Sequence, residues 1–165
     1  MAEVDIYLKL MDQKGQIEGE SKDKQHEKWI EVHSFSWGMN NDGYAHFGGG
    51  AGMGKVNMGD ISITKELDSS TSVLMHHCAT GEHFQSATFE FMRAGGKERV
   101  CYNKIELEEV FISSVQHGGG TGATLSESVT MNFAKITQKA TTQDKTGAKG
   151  ADKEFFYDLK TREHG

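Results

Sequence analysis

Apolar and polar residues alternate along several short segments of the chain, and this is the pattern of half-buried β-strands because successive strand side chains point to opposite faces. In the first segment Val4, Ile6, Leu8 and Leu10 are apolar and are separated mainly by polar residues. Similar runs follow at 29–37, 56–67, 87–91, 100–115, 129–133 and 155–159. The pattern predicts a protein built mostly from β-strands.

Two of these runs change phase partway along their length. Apolar side chains keep one parity at the start and take the opposite parity at the end, with the change near His33 and Ser34 in the first run and between Leu107 and Val110 in the second. A shift of one residue turns every later side chain to the other face unless the strand bends or bulges. We therefore expect two strongly curved strands, as in a small barrel or a sharply folded sandwich.

One segment follows helical spacing instead. Apolar or weakly polar residues recur at positions 73, 74, 77 and 78, after acidic and hydroxyl residues at 68–70 that are good N-caps. Gly81 stands where a left-handed C-terminal cap would be. The expected fold is a mostly antiparallel β-barrel or sandwich with one flanking α-helix from about Ser69 to Thr80.

Length and composition favour a single domain over residues 1–165. Hydrophobic residues make up 36% of the chain, which is low, so we expect a thin core that is completed against other copies. The 20 glycines cluster at 43–54, 95–96 and 118–122, and proline is absent. These clusters predict connections between strands, including an extended glycine-rich loop at about 40–56. A polar segment at about 138–153 is expected to be flexible over 141–153.

The net charge of -6 disfavours nucleic-acid binding, which requires a basic patch. We expect no membrane insertion, since the chain lacks a long apolar stretch. The residues from Met1 to Asp12 make a poor signal peptide, so export would need a route without a cleaved leader. Cys78 and Cys101 are expected to be reduced, buried thiols, although a disulfide is possible if their Cα atoms lie about 6 Å apart.

The segment from Gly49 to Lys55 has the glycine and lysine spacing with which a phosphate-binding P-loop begins. Val56 stands where that motif needs a serine or threonine, and the following residues look extended rather than helical. A P-loop requires a helix N-terminus at this point to bind the anion. The segment is therefore interpreted as a glycine-rich loop, and nucleotide binding is the less favoured alternative.

Other candidate chemistry has a simpler structural interpretation. His76, His77, Cys78 and His83 could suggest a metal site, but adjacent helical residues point about 100° apart. A row of acids at 106, 108 and 109 is typical of the solvated face of a sheet. We expect no metal, cofactor or enzymatic activity. Among the aromatic residues, Trp37 and Phe89 are expected in the core, and Trp29 is expected to be partly exposed.

Several sequence blocks resemble the hemolysin-coregulated protein (Hcp) family, the inner-tube subunits of bacterial type VI secretion systems. They begin with Gly-Glu-Ser-Lys-Asp at 19–23, Ile-Glu-Val at 30–32 and Ser-Trp-Gly at 36–38. Further blocks follow in the family's order at 54–56, 61–65, 67–70, 78–81, 93–96, 110–115 and 129–134. Two departures are a serine and valine in the helix where members often have proline, and aromatic residues within the glycine-rich loop.

The resemblance implies a structural protein that assembles as homo-hexameric rings, and these rings stack into a tube. In the family this tube is enclosed by a sheath, carries a spike complex at its tip, holds small effector proteins in its lumen, and is exported from the bacterial cytoplasm. The matching loop contacts neighbouring subunits between stacked rings. The candidate subunit or ring-stacking contacts are therefore Tyr44, His46, Phe47, Met53 and Lys55.

Two other functions remain open on the residues alone. One is a monomeric β-barrel carrier or chaperone, and the other is a nucleotide-binding enzyme that uses the segment from Gly49 to Lys55. Solution mass separates a ring from a monomer, and a thermal shift with nucleotide and magnesium tests the enzyme.

Overall fold

The computed structural model describes residues 4–41, 55–94 and 98–165, which contain twelve β-strands and one α-helix. Every strand pairing in these ranges is antiparallel. The elements are β1 (Val4–Asp12), β2 (Gly15–Gln16), β3 (Ile30–Val32), β4 (Ser34–Ser36), β5 (Met39–Asn41), β6 (Val56–Met58), β7 (Ile61–Glu66), α1 (Thr71–Thr80), β8 (Phe84–Arg93), β9 (Val100–Gly118), β10 (Ser126–Asn132), β11 (Lys135–Gln143) and β12 (Lys149–Asp158). The expected fold class, mostly β with one flanking helix, is confirmed.

The strand pairings form a closed circuit. The hydrogen-bonded order β1-β8-β9-β10-β7-β4 is completed because β3 pairs with β1 and continues into β4 after one residue, His33. The backbone N–H of His33 donates to the Thr64 carbonyl of β7 at 2.8 Å. At the first predicted phase change the chain therefore stops pairing with β1 and begins to pair with β7.

The second predicted bend lies in the 19-residue strand β9. Its first half pairs with β8 and β11, and its second half pairs with β10. At Glu109 the backbone is left-handed, with φ of 52°. Leu107 and Val110 consequently both face the core, at 1% and 0% exposure, although their parities differ. The bend that the sequence predicts is confirmed.

The α-helix begins two residues later than expected and ends where the sequence predicts. Asp68 supports its start: its Oδ1 atom accepts the backbone N–H of Ser70 at 2.8 Å. Gly81 ends it in a left-handed conformation, with φ of 76° and its N–H donating to the His77 carbonyl at 3.0 Å. Leu74 and His77 are the buried residues of α1.

One core fills the barrel, and most of its members come from the alternating runs. Phe89 is completely buried, as expected, and its ring meets the Phe35 ring edge to face at 5.2 Å. Trp37 was expected there too, but it lies after β4 and is only half-buried. It packs against the core without being enclosed by it, and its Nε1–H donates to the Gly59 carbonyl at 3.0 Å. Trp29 is half-buried, as expected.

The polar segment at 138–153 differs from the expected flexible run. Most of it belongs to the antiparallel hairpin of β11 and β12, which pair from Lys135 and Asp158 to Gln143 and Lys149. Thr141 stabilises this hairpin, since its hydroxyl donates to Asp152 at 2.7 Å. The C-terminal residues add to the outer edge of β12, where the Phe156 N–H donates to the Gly165 carbonyl at 2.9 Å.

The remaining connections agree with the sequence where they are described. Residues 119–125 connect β9 to β10, as the glycines at 118–122 predict. Glycines 95 and 96 lie outside the described residues, as does most of the predicted loop at 40–56. Cys78 and Cys101 are free thiols, and both are half-buried rather than buried.

Candidate assembly surface

The predicted glycine-rich loop starts and ends on a ribbon of two short strands. β5 and β6 pair antiparallel, with Met39 opposite Met58 and Asn41 opposite Val56, and they form a sheet separate from the barrel. We call these two strands the base ribbon. All three residues of β5 are exposed. Met39, with 49% of its surface accessible, is one of the exposed large apolar residues of the described chain.

A pair of glycines joins the base ribbon to the barrel. The backbone N–H of Gly59 donates to the Gly38 carbonyl at 2.9 Å. A Cβ atom at Gly59 would lie 2.9 Å from that same carbonyl oxygen, which is closer than real side chains come. Glycine therefore allows the two backbones to approach here, and the hydrogen bond from Trp37 to Gly59 sets the position from which the ribbon leaves the barrel.

Of the five predicted contact residues, the structure places one. Lys55 is exposed and lies directly before β6. Tyr44, His46, Phe47 and Met53 lie outside the described residues. All five contact assignments stay predictions, and for Lys55 the structure adds only its position at the edge of the base ribbon.

The residues after Lys55 bear on the nucleotide-binding alternative. They form the strand Val56–Met58, as the sequence predicts, and not a helix. A P-loop binds phosphate with the N–H groups of the helix that follows its lysine. That element is missing from the described residues after Lys55, so the geometry gives the enzyme alternative no support.

The histidines near the helix occupy three different environments. His77 is buried and stacks on the Phe84 ring at 3.8 Å, with Nδ1 3.0 Å from the Glu82 carbonyl oxygen. His76 is exposed, and His83 meets the edge of Phe111. Among the described residues no three histidine, cysteine or acidic side chains come together as metal ligands.

The row of acids on β9 faces solvent, as the sequence predicts. Glu106 pairs with Lys104 at 3.1 Å, and Glu108 pairs with Lys135 at 3.6 Å. All the carboxylates of the row belong to exposed residues. Glu109 pairs with Lys160, so every acid of the row has a lysine partner on the barrel surface.

A buried ionic cluster at the start of α1 was not predicted. Lys65 of β7 and Glu127 of β10 are cross-strand partners, and neither exposes more than 1% of its surface. The Lys65 Nζ atom lies 3.5 Å from Glu127 Oε1 and 2.9 Å from Asp68 Oδ1. Glu127 Oε2 accepts the Thr71 hydroxyl at 2.7 Å and lies 3.4 Å from Nε2 of His117.

The sequence did carry a signal for this cluster. Lys65 is in strand phase with Ile61 and Ile63, and Glu127 is in phase with Val129 and Met131. A charge on the apolar face of a strand is costly unless an opposite charge meets it. A positive charge on the apolar face of one strand and a negative charge on that of another therefore indicate that the two strands are neighbours. The cluster joins the first turn of the helix to the barrel.

Comparison with known proteins identifies the family. Residues 7–139 match the family model described as the type VI secretion system effector Hcp. The protein hcp1 of Pseudomonas aeruginosa is 45% identical over 147 residues, which cover 88% of each chain.

The chain belongs to the Hcp family.

Solved structures agree with this assignment. One structure of a type six secretion system protein has a TM-score of 0.88 at 28% identity and covers 99% of this chain and 100% of the other. The crystal structure of Hcp1 from Salmonella typhimurium has a TM-score of 0.80 at 26% identity and covers both chains completely. As an Hcp protein, the chain is a tube protein of the type VI secretion system, and Hcp proteins are secreted. None of the helical residues described forms a span that could cross a membrane.

Proposed function

We propose that six copies of this chain close into a ring and that the rings stack into the secretion tube. The observation that carries the proposal is the family match, which extends over 88% of both this chain and its Pseudomonas aeruginosa relative. The barrel, the helix and the base ribbon therefore all belong to the part shared with Hcp proteins. A closed homomeric ring uses one patch of each copy against a different patch of the next.

The base ribbon supports a contact between copies. It consists of three residues in each strand and does not pair with the barrel sheet. An isolated two-stranded hairpin is marginally stable in water. Burying Met39 and the neighbouring backbone against a second copy would stabilise the ribbon. We assign this contact to ring stacking, together with Lys55 and the predicted loop residues Tyr44, His46, Phe47 and Met53.

The tube has further proposed partners. We expect the stacked rings to be surrounded by the sheath proteins of the secretion system and to carry its spike proteins at the tip. We also expect small effector proteins to bind in the lumen. The family's structural role supports a non-enzymatic function for this chain. Export without a cleaved leader stays a prediction.

Replacing Met39 with glutamate is expected to weaken ring stacking about tenfold or more while the ring itself remains. Full burial of a methionine side chain contributes roughly 1.5–3 kcal/mol, and about 1.4 kcal/mol is a factor of ten in binding. A buried carboxylate would add a desolvation cost. The measurement is the protein concentration at which tubes longer than one ring appear in negative-stain electron micrographs.

Met75→Glu is the matched control. Met75 lies on α1 and is 48% exposed, nearly the same as Met39. This variant should form tubes at the wild-type concentration. Equal loss of stacking in both variants, or normal stacking by Met39→Glu, would contradict the assignment of the base ribbon. Loss of the ring itself in Met39→Glu would place the ribbon within the ring contact instead.

A further inference from the structure

The segment 19–29, which connects β2 to β3, is attached to the barrel by a cluster of charged residues around one buried histidine. The segment turns back on itself, and the backbone N–H of Gly19 donates to the Lys28 carbonyl at 2.7 Å. A second bond closes the same turn, from the Lys28 N–H to the Ser21 carbonyl at 2.9 Å. At its centre His26 is buried, with 1% of its surface exposed. Backbone hydrogen bonds within the segment therefore hold its turn, and the buried side chain of His26 anchors it in the protein.

The ring of His26 fits between aromatic residues. It stacks on the Tyr7 ring of β1 at 4.2 Å, with the two planes 5° apart. It also meets the Trp29 ring edge to face at 4.8 Å. These contacts fix the ring plane and thereby determine what each of its two nitrogens faces.

Both nitrogens of His26 face a carboxylate. Nδ1 lies 2.7 Å from Asp23 Oδ2 within the segment, and Nε2 lies 3.1 Å from Glu90 Oε1 on β8. An ionised carboxylate can only accept hydrogen bonds, and a neutral imidazole has a single N–H to donate. A neutral ring would therefore point one lone pair at a carboxylate. Only the imidazolium form satisfies both contacts.

Asp23 extends the cluster towards β1. Its second oxygen binds the guanidinium of Arg99, just before β9. Arg99 also donates to Asp5 at 2.7 Å and to the Tyr7 hydroxyl at 3.1 Å. The proton on His26 thus completes a chain of contacts from β8 through the segment to β1.

The charges around the cluster come from four parts of the fold. They are Asp5, Tyr7 and Lys9 on β1, Asp23 in the segment, Glu90 on β8, Arg99 just before β9, and Cys101 and Lys104 at the start of β9. Two acids bind His26 directly, whereas Arg99 binds the far oxygen of Asp23 and the lysines act on Glu90. The groups in hydrogen-bond contact with the ring are therefore both negative.

The direction of the pKa shifts agrees with this geometry. Burial is the largest single influence on His26 and by itself lowers the pKa, but the hydrogen bonds and negative charges of Glu90 and Asp23 outweigh it and raise the pKa. The hydrogen bond with His26 lowers the pKa of Glu90. Burial works against the charge of Asp23, yet His26 and Arg99 together lower its pKa.

We propose that His26 is a proton-dependent latch that holds segment 19–29 against β1 and β8 and releases it when rising pH removes the proton from the ring. Release would free the Asp23 and Glu90 contacts together, because both depend on the same imidazolium. The contacts that make up the latch lie within one copy of the chain.

The pH range of the latch follows from the signs of these shifts. A raised pKa means that the contribution of His26 is complete below its ordinary value of about 6.5 and is lost as the pH rises through the folded value. The lowered pKa values of Glu90 and Asp23 mean that their contribution is present above about pH 4 and is lost as the pH falls through their folded values. The latch therefore stabilises the attached segment most between about pH 4 and about pH 6.5.

Hydrogen exchange measured by mass spectrometry tests the latch in the wild-type protein. Exchange of peptides from segment 19–29, corrected for the intrinsic effect of pH, should accelerate between about pH 6 and about pH 9, and the acceleration is about tenfold for each unit by which the pKa of His26 is raised. Peptides from β11 and β12 should keep their corrected rates. A segment equally protected at both pH values, or a uniform acceleration of all peptides, would overturn the proposal.

Variants give the second measurement. His26→Gln should exchange rapidly in segment 19–29 at both pH values, while His33→Gln, which removes a histidine with 60% of its side chain exposed, should behave as wild type. Glu90→Gln keeps the histidine and removes one of its carboxylates, so it should move the release to lower pH. It also provides the test if His26→Gln does not fold. Release at an unchanged pH in Glu90→Gln would contradict the latch.

Discussion

Glu127→Ala is expected to destabilise the fold by about 3–5 kcal/mol, because it leaves the ammonium group of Lys65 buried without its cross-strand partner. Lys65 would keep its contact with Asp68 at 2.9 Å, so the barrel strand and the helix start would still be linked. The hydroxyl of Thr71 would lose its acceptor in the first turn of α1. The free energy of unfolding, measured by urea denaturation at one fixed protein concentration, gives the effect.

Two further variants separate the ion pair from packing. Glu66→Ala removes a neighbouring glutamate that is 59% exposed, and it should change the unfolding free energy by less than about 1 kcal/mol. The double variant Lys65→Met, Glu127→Leu removes both buried charges and should recover most of the stability. A double variant as unstable as Glu127→Ala would show that shape rather than charge pairing dominates at this site.

Phe89→Ala is the second large expected loss, again about 3–5 kcal/mol. Phe89 is completely buried in β8, directly opposite Leu8 of β1 on one side and Ile105 of β9 on the other. Its ring also meets Phe35 at 5.2 Å. Truncation would leave a cavity that three strands surround and cannot easily close. Urea denaturation and the yield of soluble protein report the loss.

Trp37→Ala is the comparison for Phe89→Ala. Trp37 is half-buried and makes one hydrogen bond, to the Gly59 carbonyl. Its truncation should cost less, about 1–2 kcal/mol. If Trp37→Ala proved as damaging as Phe89→Ala, the tryptophan would have to be covered further, for example by a neighbouring copy at the base ribbon.

Much of the barrel could be predicted because the alternation of apolar and polar residues is visible within short segments of the sequence. The changes of phase near His33 and before Val110 are visible in the sequence, and both mark places where a strand passes between neighbours. Gly81 ends the helix as predicted, since a left-handed residue there favours glycine. These features depend on a few adjacent residues.

The missed features depend on pairing between distant parts of the chain or lack a clear apolar face. The hairpin of β11 and β12 was missed because its residues are polar on both faces towards the turn. The run at 56–67 predicts one strand, whereas in the structure Gly59 and Asp60 separate β6 from β7. Lys65 and Glu127 are 62 positions apart in the sequence. They become partners only through the register in which β7 pairs with β10.

Local sequence patterns do not identify the residues that contact a second copy. Lys55 lies beside the base ribbon, and Met39 is identified only from the structure, because its exposed apolar surface lies on a ribbon that does not pair with the barrel sheet. A sequence pattern identifies apolar residues but does not show which of them are buried only against a second copy of the chain.

The solution mass of the purified protein, measured by multi-angle light scattering across micromolar concentrations, tests the ring most directly. The proposed assembly predicts six times the mass of one chain, and whole multiples of that mass where rings stack, because ring closure occupies both ring-contact patches of every copy. A protein that keeps the mass of one chain throughout this range would contradict the proposed assembly.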